Sequence, residues 1–156
     1  MVFNIFKSFF EVPNVSSSAE DFSNGLGQAV NWKKFREALT NRSGYPIMVV
    51  VHASKCKSCD FFRTWFSGSD EIRKLSENFE MVNLLDSEAR ELSNVSIFTP
   101  YVPRVMFFSP TGNFLSQFTN HCIENENLCY YYGDPKALLK TMTEVLHAFP
   151  PRPEYV

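Results

Sequence analysis

Five apolar residues, Ile47-Met48-Val49-Val50-Val51, lead through His52 to a Cys-x-x-Cys pair, Cys56 and Cys59. No other stretch restricts the fold as much. The run is too short for a helix and too continuously apolar for a strand with one wet face. It predicts a strand in the middle of a sheet covered on both sides. The dithiol then falls at that strand's carboxyl end, where open α/β sheets place their chemistry. Two cysteines at this spacing can close a small disulfide ring or offer two thiolates to a metal. Spacing alone leaves both open, and delivery from a strand onto a helix start favours the redox reading.

The other elements are read from periodicity. Trp32 to Leu39 carries apolar residues at 32, 35, 38 and 39, the spacing of one helical face, and Asn41 to Pro46 breaks it. Asp60 to Phe66 continues from the dithiol as a helix, Ser67-Gly68-Ser69 interrupts it, and Asp70 to Ser76 supplies a further turn or two. Phe79 to Leu85 reads as a second strand parallel to the first, completing a right-handed crossover. Arg104–Phe108 and Asn113–Phe118 read as an antiparallel hairpin around Ser109-Pro110-Thr111-Gly112. Asp134-Pro135 marks a helix start, with Asp as cap and Pro at the first helical position. That helix runs to about Phe149, with Leu138, Met142, Val145 and Phe149 on one face and Pro150-Pro151 ending it. The expected class is α/β, a central mixed sheet with a parallel crossover and an antiparallel hairpin, flanked by helices.

Size and charge narrow the function. At 156 residues with 44% hydrophobic content, the chain fits one domain with a full core, and its 16 Phe are spread as core filler. Fifteen basic against 17 acidic side chains give a net charge of −2. No window concentrates Lys and Arg, which argues against nucleic acid. No stretch approaches the roughly 20 apolar residues of a membrane span. Met1 to Phe10 is apolar apart from Asn4, Lys7 and Ser8. It reads either as a cleaved signal with an interrupted core or as a weakly amphipathic leader. The expected division is a leader and linker over 1–24, a folded domain over 25–149 and a Pro-rich tail over 150–156.

A parallel crossover carrying Cys-x-x-Cys, a hairpin preceded by a proline, and a closing helix is a thioredoxin-like arrangement. Several strings sharpen it: Gly27, Trp32, Pro46-Ile47-Met48-Val49, His52, Cys56-Lys57-Ser58-Cys59, Asn78-Phe79-Glu80-Met81-Val82-Asn83-Leu84 and Tyr101-Val102-Pro103-Arg104-Val105-Met106-Phe107. With these the chain resembles the small endoplasmic-reticulum family of thioredoxin domain-containing protein 12 and the anterior gradient proteins, over roughly Gly25 to Ala148. The resemblance implies thiol–disulfide oxidoreductase activity in the secretory pathway and a cis Pro103 facing the dithiol. A bare X–Pro bond favours trans, so the cis expectation rests on the resemblance.

From the residues themselves, Cys56 at the helix amino terminus is the expected nucleophile, because unsatisfied N–H groups and the helix dipole stabilise a thiolate there. Lys55 and Lys57 are expected to add modestly. Cys59, one turn in, is the expected resolving thiol. The buried acid that thioredoxin carries six residues before its first cysteine is replaced by Val50. His52 is a candidate proton acceptor through water, or else a strand-end histidine with a satisfied ring. Lys55 stands where an aromatic often sits, which removes part of an apolar client platform.

Cys122 and Cys129 bracket an Asn-rich polar segment that a structural disulfide would clip together in an oxidising compartment. Zinc held by all four cysteines would need that loop to reach the dithiol, and the spacing matches no zinc ribbon. No metal and no cofactor are expected. Sequons at Asn14, Asn41 and Asn94 are glycan acceptors if the chain is luminal. The terminus Pro153-Glu154-Tyr155-Val156 lacks the retrieval tetrapeptide of the family. The expected location is the endoplasmic reticulum lumen or outside the cell, or the cytoplasm if the amino terminus is not a signal. Expected partners are client proteins bearing thiols or disulfides, with glutathione as a candidate redox partner. The alternative function is a thioredoxin-like module that binds clients without turnover.

Overall fold

The computed structural model describes residues 20–41, 43–89, 101–121 and 126–151. Residues 1–19 of the expected leader and linker, residues 152–156 of the expected tail, the sequons at Asn14 and Asn94, and Cys122 lie outside them. In chain order the elements are β1 (Trp32–Lys33), α1 (Phe35–Thr40), β2 (Ile47–His52), α2 (Lys57–Ser67), α3 (Asp70–Ser76), β3 (Glu80–Leu85), β4 (Arg104–Phe108), a 3₁₀ turn (Glu126–Leu128) and α4 (Pro135–Ala148). The sheet order is β1-β3-β2-β4. β2 runs parallel to β3, from Ile47 opposite Glu80 to His52 opposite Leu85, and antiparallel to β4, from Ile47 opposite Phe108 to Val51 opposite Arg104.

Every residue of β2 is buried, because the strand has neighbours on both edges and helices on both faces. Its side chains alternate between two cores. Met48 and Val50 join Met81, Val105 and Phe107 under Phe62 and Phe66 of α2, Ile72 of α3, and Leu138, Met142 and Val145 of α4. Ile47, Val49 and Val51 join Val82, Met106 and Phe108 beneath Ala38 of α1.

Two expected elements differ. The predicted helix over 32–39 begins only at Phe35, because Trp32 and Lys33 pair with Met81 and Val82 as a short edge strand. The apolar positions there serve opposite faces: Trp32 packs against Phe66 with ring centroids 6.0 Å apart, while Phe35 and Ala38 pack on the other core. The predicted strand 113–118 contributes a single bridge, Phe114 to Phe108. Beyond Leu115 the backbone turns, with the Phe118 N–H donating to the Leu115 carbonyl at 3.2 Å, so no ladder continues. The connection itself has the expected turn chemistry: the Asn113 N–H donates to Ser109 Oγ at 3.0 Å and Gly112 takes φ +88°.

Packed structure starts slightly ahead of Gly25. Ser23 is buried, and the Phe22 carbonyl accepts from Asn83 Nδ2 at 2.6 Å, tying this segment to β3. No helix among the described residues is long and apolar enough to cross a membrane.

Candidate active site

β2 ends at His52, and four residues later Cys56 caps α2 in an extended conformation. Its sulfur takes the role a serine or aspartate oxygen usually has at a helix start. Cys56 Sγ accepts the backbone N–H of Cys59 at 3.2 Å and lies 3.2 Å from Ser58 Oγ. The other wall is the turn before β4. Its Val102–Pro103 bond is cis, and the Val102 carbonyl lies 4.0 Å from Cys56 Sγ and 3.5 Å from Ser58 Oγ. Cys56, Ser58 and the Val102–Pro103 turn thus meet in space although more than forty residues separate them in sequence.

Both thiols are free, Cys56 half-buried and Cys59 fully buried. Burial pulls the Cys56 thiol up, but hydrogen bonds from Cys59 and Ser58, side chain and backbone, outweigh it and leave the thiol below its ordinary value. These local donors, rather than the flanking lysines, set the balance. Burial and the hydrogen bond it shares with Cys56 push Cys59 up to about 11, although the N–H of Ala53 at 3.4 Å and the Arg63 charge act the other way. One thiol is acidic and accessible and the other is basic and enclosed, so Cys56 is the one set up to react first with a disulfide from outside.

His52 is 1% exposed, and both ring nitrogens are occupied. A guanidinium can only donate, so Nδ1 accepts from Arg63 at 2.9 Å. Nε2 therefore carries the proton and donates to Asn83 Oδ1 at 3.3 Å. Burial, with the Arg63 charge, keeps this ring below its ordinary basicity even though Asn83 pulls the other way. With its acceptor nitrogen taken by Arg63 and its N–H given to Asn83, the His52 ring is satisfied at the strand end, which favours the second of its two expected readings over the proton acceptor. Nor does a buried carboxylate among the described residues replace the missing acid. Val50 is buried in the core, and the buried acid Glu80 sits opposite Ile47 at the far end of the sheet, paired with Lys33.

Cys129 takes part in a disulfide. No group of three or more His, Cys, Asp or Glu among the described residues could hold a metal ion.

The thioredoxin-like family model matches residues 32–110, spanning both strands of the crossover, the dithiol and β4. The chain belongs to the thioredoxin-like family. Within it, the chain is 30% identical to anterior gradient protein 3 of Xenopus tropicalis over 132 residues, 82% of this chain and 79% of that protein. It is 29% identical to human anterior gradient protein 2 homolog over 131 residues, 81% of this chain and 73% of that one. A thioredoxin from Thermus thermophilus shares the fold at a TM-score of 0.59 and 21% identity, with 78% of this chain and 91% of that one covered.

Sequence reasoning missed three parts of this thioredoxin-like site: the Ser58 hydroxyl, Arg63 and Asn83. Arg63 lies four residues after Cys59, helical spacing that puts it on the same face one turn further in. That spacing was the available signal. Asn83 carried none, because only the register of β3 against β2 places it beside the end of His52.

Proposed function

We propose that this chain is a thiol–disulfide oxidoreductase acting on cysteines of client proteins, with Cys56 as nucleophile and Cys59 as resolving thiol. The observation that carries the reading is the split acidity of two free thiols at one helix start, facing the Val102 carbonyl. The Cys56 thiolate attacks a client disulfide, forming a mixed disulfide and releasing one client sulfur as thiolate. The Cys59 thiolate then attacks Cys56 Sγ, closing the Cys56–Cys59 disulfide and expelling the second client sulfur. Two electrons and the two thiol protons pass to the client, which leaves as a dithiol. Run backwards, the same steps oxidise a client. Pro103, with no N–H to leave unsatisfied, suits a groove where the Val102 backbone meets an extended client segment.

Glutathione is the proposed small redox partner, able to return the disulfide to the dithiol. The disulfide at Cys129 supports an oxidising compartment, hence the endoplasmic reticulum lumen or the extracellular space. Cys122 is its proposed partner, being the only remaining cysteine besides the two free ones.

Insulin reduction with dithiothreitol tests the reading. The wild-type chain should accelerate precipitation, Cys56→Ser should abolish the acceleration, and Cys59→Ser should trap mixed disulfides. The second reading, a client-binding module, is favoured by Val50 standing where thioredoxin carries its buried acid. It requires no acceleration by the wild type together with client binding that survives Cys56→Ser.

A further inference from the structure

Resting on that oxidoreductase reading, we propose that Arg63 is the positioning residue for the resolving step, standing in for the absent buried acid by fixing the Ala53 peptide and holding a positive charge behind Cys59. Arg63 Nη1 donates to the Ala53 carbonyl at 3.0 Å and to His52 Nδ1 at 2.9 Å. The N–H of the same Ala53 points at Cys59 Sγ at 3.4 Å. Arg63 therefore holds one end of a residue whose other end donates to the sulfur that must become a thiolate.

The guanidinium is itself held from three sides. Its side chain is 14% exposed and pairs through Nη2 with Asp60, which is 67% exposed and so neutralises it weakly. His52 cannot swing away, because Asn83 accepts its other nitrogen. Asn83 is held in turn by Asn24 Nδ2 at 2.7 Å and by the Phe22 carbonyl. The loop through Gly25 closes over the arginine stem, since a Cβ at Gly25 would stand 3.1 Å from Arg63 Cδ. So much fixing of one arginine goes beyond what a helix-surface residue needs.

Among the described residues, the charged and titratable groups around this point are Cys56 and Arg63 at Cys59, Asp60 and His52 at Arg63, and Glu88 acting on His52. Asp60 and Glu88 are the acids among them. Asp60 is engaged by Arg63, and Glu88 accepts the Leu85 N–H at 2.8 Å, so neither is placed here as a base for Cys59. The thiol loses its proton to solvent or to the departing client thiolate, and Arg63 makes the resulting anion less unfavourable.

The test follows the two steps separately. Reduced protein is mixed with excess oxidised glutathione in stopped flow, across a range of pH. The first phase is attack by Cys56, which releases glutathione thiolate; the second is closure by Cys59, which releases the other glutathione. Replacing Arg63 by Met should slow the second phase about three- to tenfold at fixed pH, the loss of thiolate from removing a nearby charge of about one kcal/mol effect. The first phase should stay within about twofold. Arg63→Lys, which keeps the charge without the fork, should recover most of the second-phase rate, and Arg63→Gln should not.

An unchanged second phase in Arg63→Met overturns the inference. So does equal slowing of both phases, or an Arg63→Lys protein no faster than Arg63→Gln. Should Arg63→Met be unfolded by circular dichroism, the Gln and Lys proteins make the same comparison. If the wild type gives neither phase, the oxidoreductase reading itself fails, which separates the two outcomes.

Discussion

Replacing Ser58 by Ala removes one hydroxyl and leaves the cap bond from the Cys59 N–H to Cys56 Sγ in place. A hydrogen bond to a charged acceptor contributes about 1.5–3 kcal/mol. Ser58 is exposed, and its hydroxyl has a second acceptor in the Val102 carbonyl at 3.5 Å. A value of about 1 kcal/mol, below that range, is therefore appropriate, and it corresponds to about fivefold less thiolate at a fixed pH on the acid side. A more basic thiolate is also more nucleophilic, and a Brønsted slope of about 0.4–0.5 returns roughly a factor of two. Neutral-pH alkylation of Cys56 should therefore slow about two- to threefold, while the high-pH plateau should rise up to about twofold. The two rate curves cross. The measurement is the iodoacetamide rate against pH in a Cys59→Ser background, with Ser58→Thr as the control that keeps a hydroxyl. Superimposed curves would refute the hydrogen-bond account of the Cys56 acidity. Uniform slowing at every pH would refute it too, because that is a loss of access and not of acidity.

Phe62 is 1% exposed and stacks with Phe66 at 5.5 Å and edge-on to Trp65 at 4.5 Å, so it roots the dithiol-bearing helix. Phe62→Ala should cost about 3–5 kcal/mol in urea unfolding, and the Cys56 alkylation rate of the folded protein should stay near wild type. His52 gives a pH dependence of known sign. Its folded-state value lies below the usual 6.5, with burial the main cause, so below that pH the unfolded chain binds a proton that the folded chain refuses. Stability should fall by up to about 1.4 kcal/mol per pH unit as the solution is acidified from neutrality through 6.5 towards the lower folded value, and then level off. Urea midpoints at several pH values measure this, and His52→Gln should flatten the slope in that window.

Much of this protein was legible along the chain. The uninterrupted apolar run of β2 announces a doubly covered central strand, because a strand with neighbours on both edges and helices on both faces has no solvent-facing side to spend polar residues on. The position of Cys56 followed from the same run, since the residue that leaves the strand and opens the helix meets free N–H groups wherever the chain goes next. Asp134-Pro135 set the start of α4 by local chemistry alone, and Asp134 accepts the Ala137 N–H at 2.9 Å.

What the tertiary structure decided were the relations between segments distant in sequence. Trp32 and Lys33 have helical spacing with their followers, yet they pair with β3, because an unpaired sheet edge offers hydrogen bonds and Trp32 can reach Phe66 from there. Strand 113–118 failed because its backbone bonds are met locally after one bridge. A satisfied ring was one of two states the sequence offered for His52, but its partners were out of reach for a related reason. A ring nitrogen accepts or donates according to what stands opposite it, and Arg63 from the helix and Asn83 from the adjacent strand come opposite His52 only when the sheet and α2 are assembled.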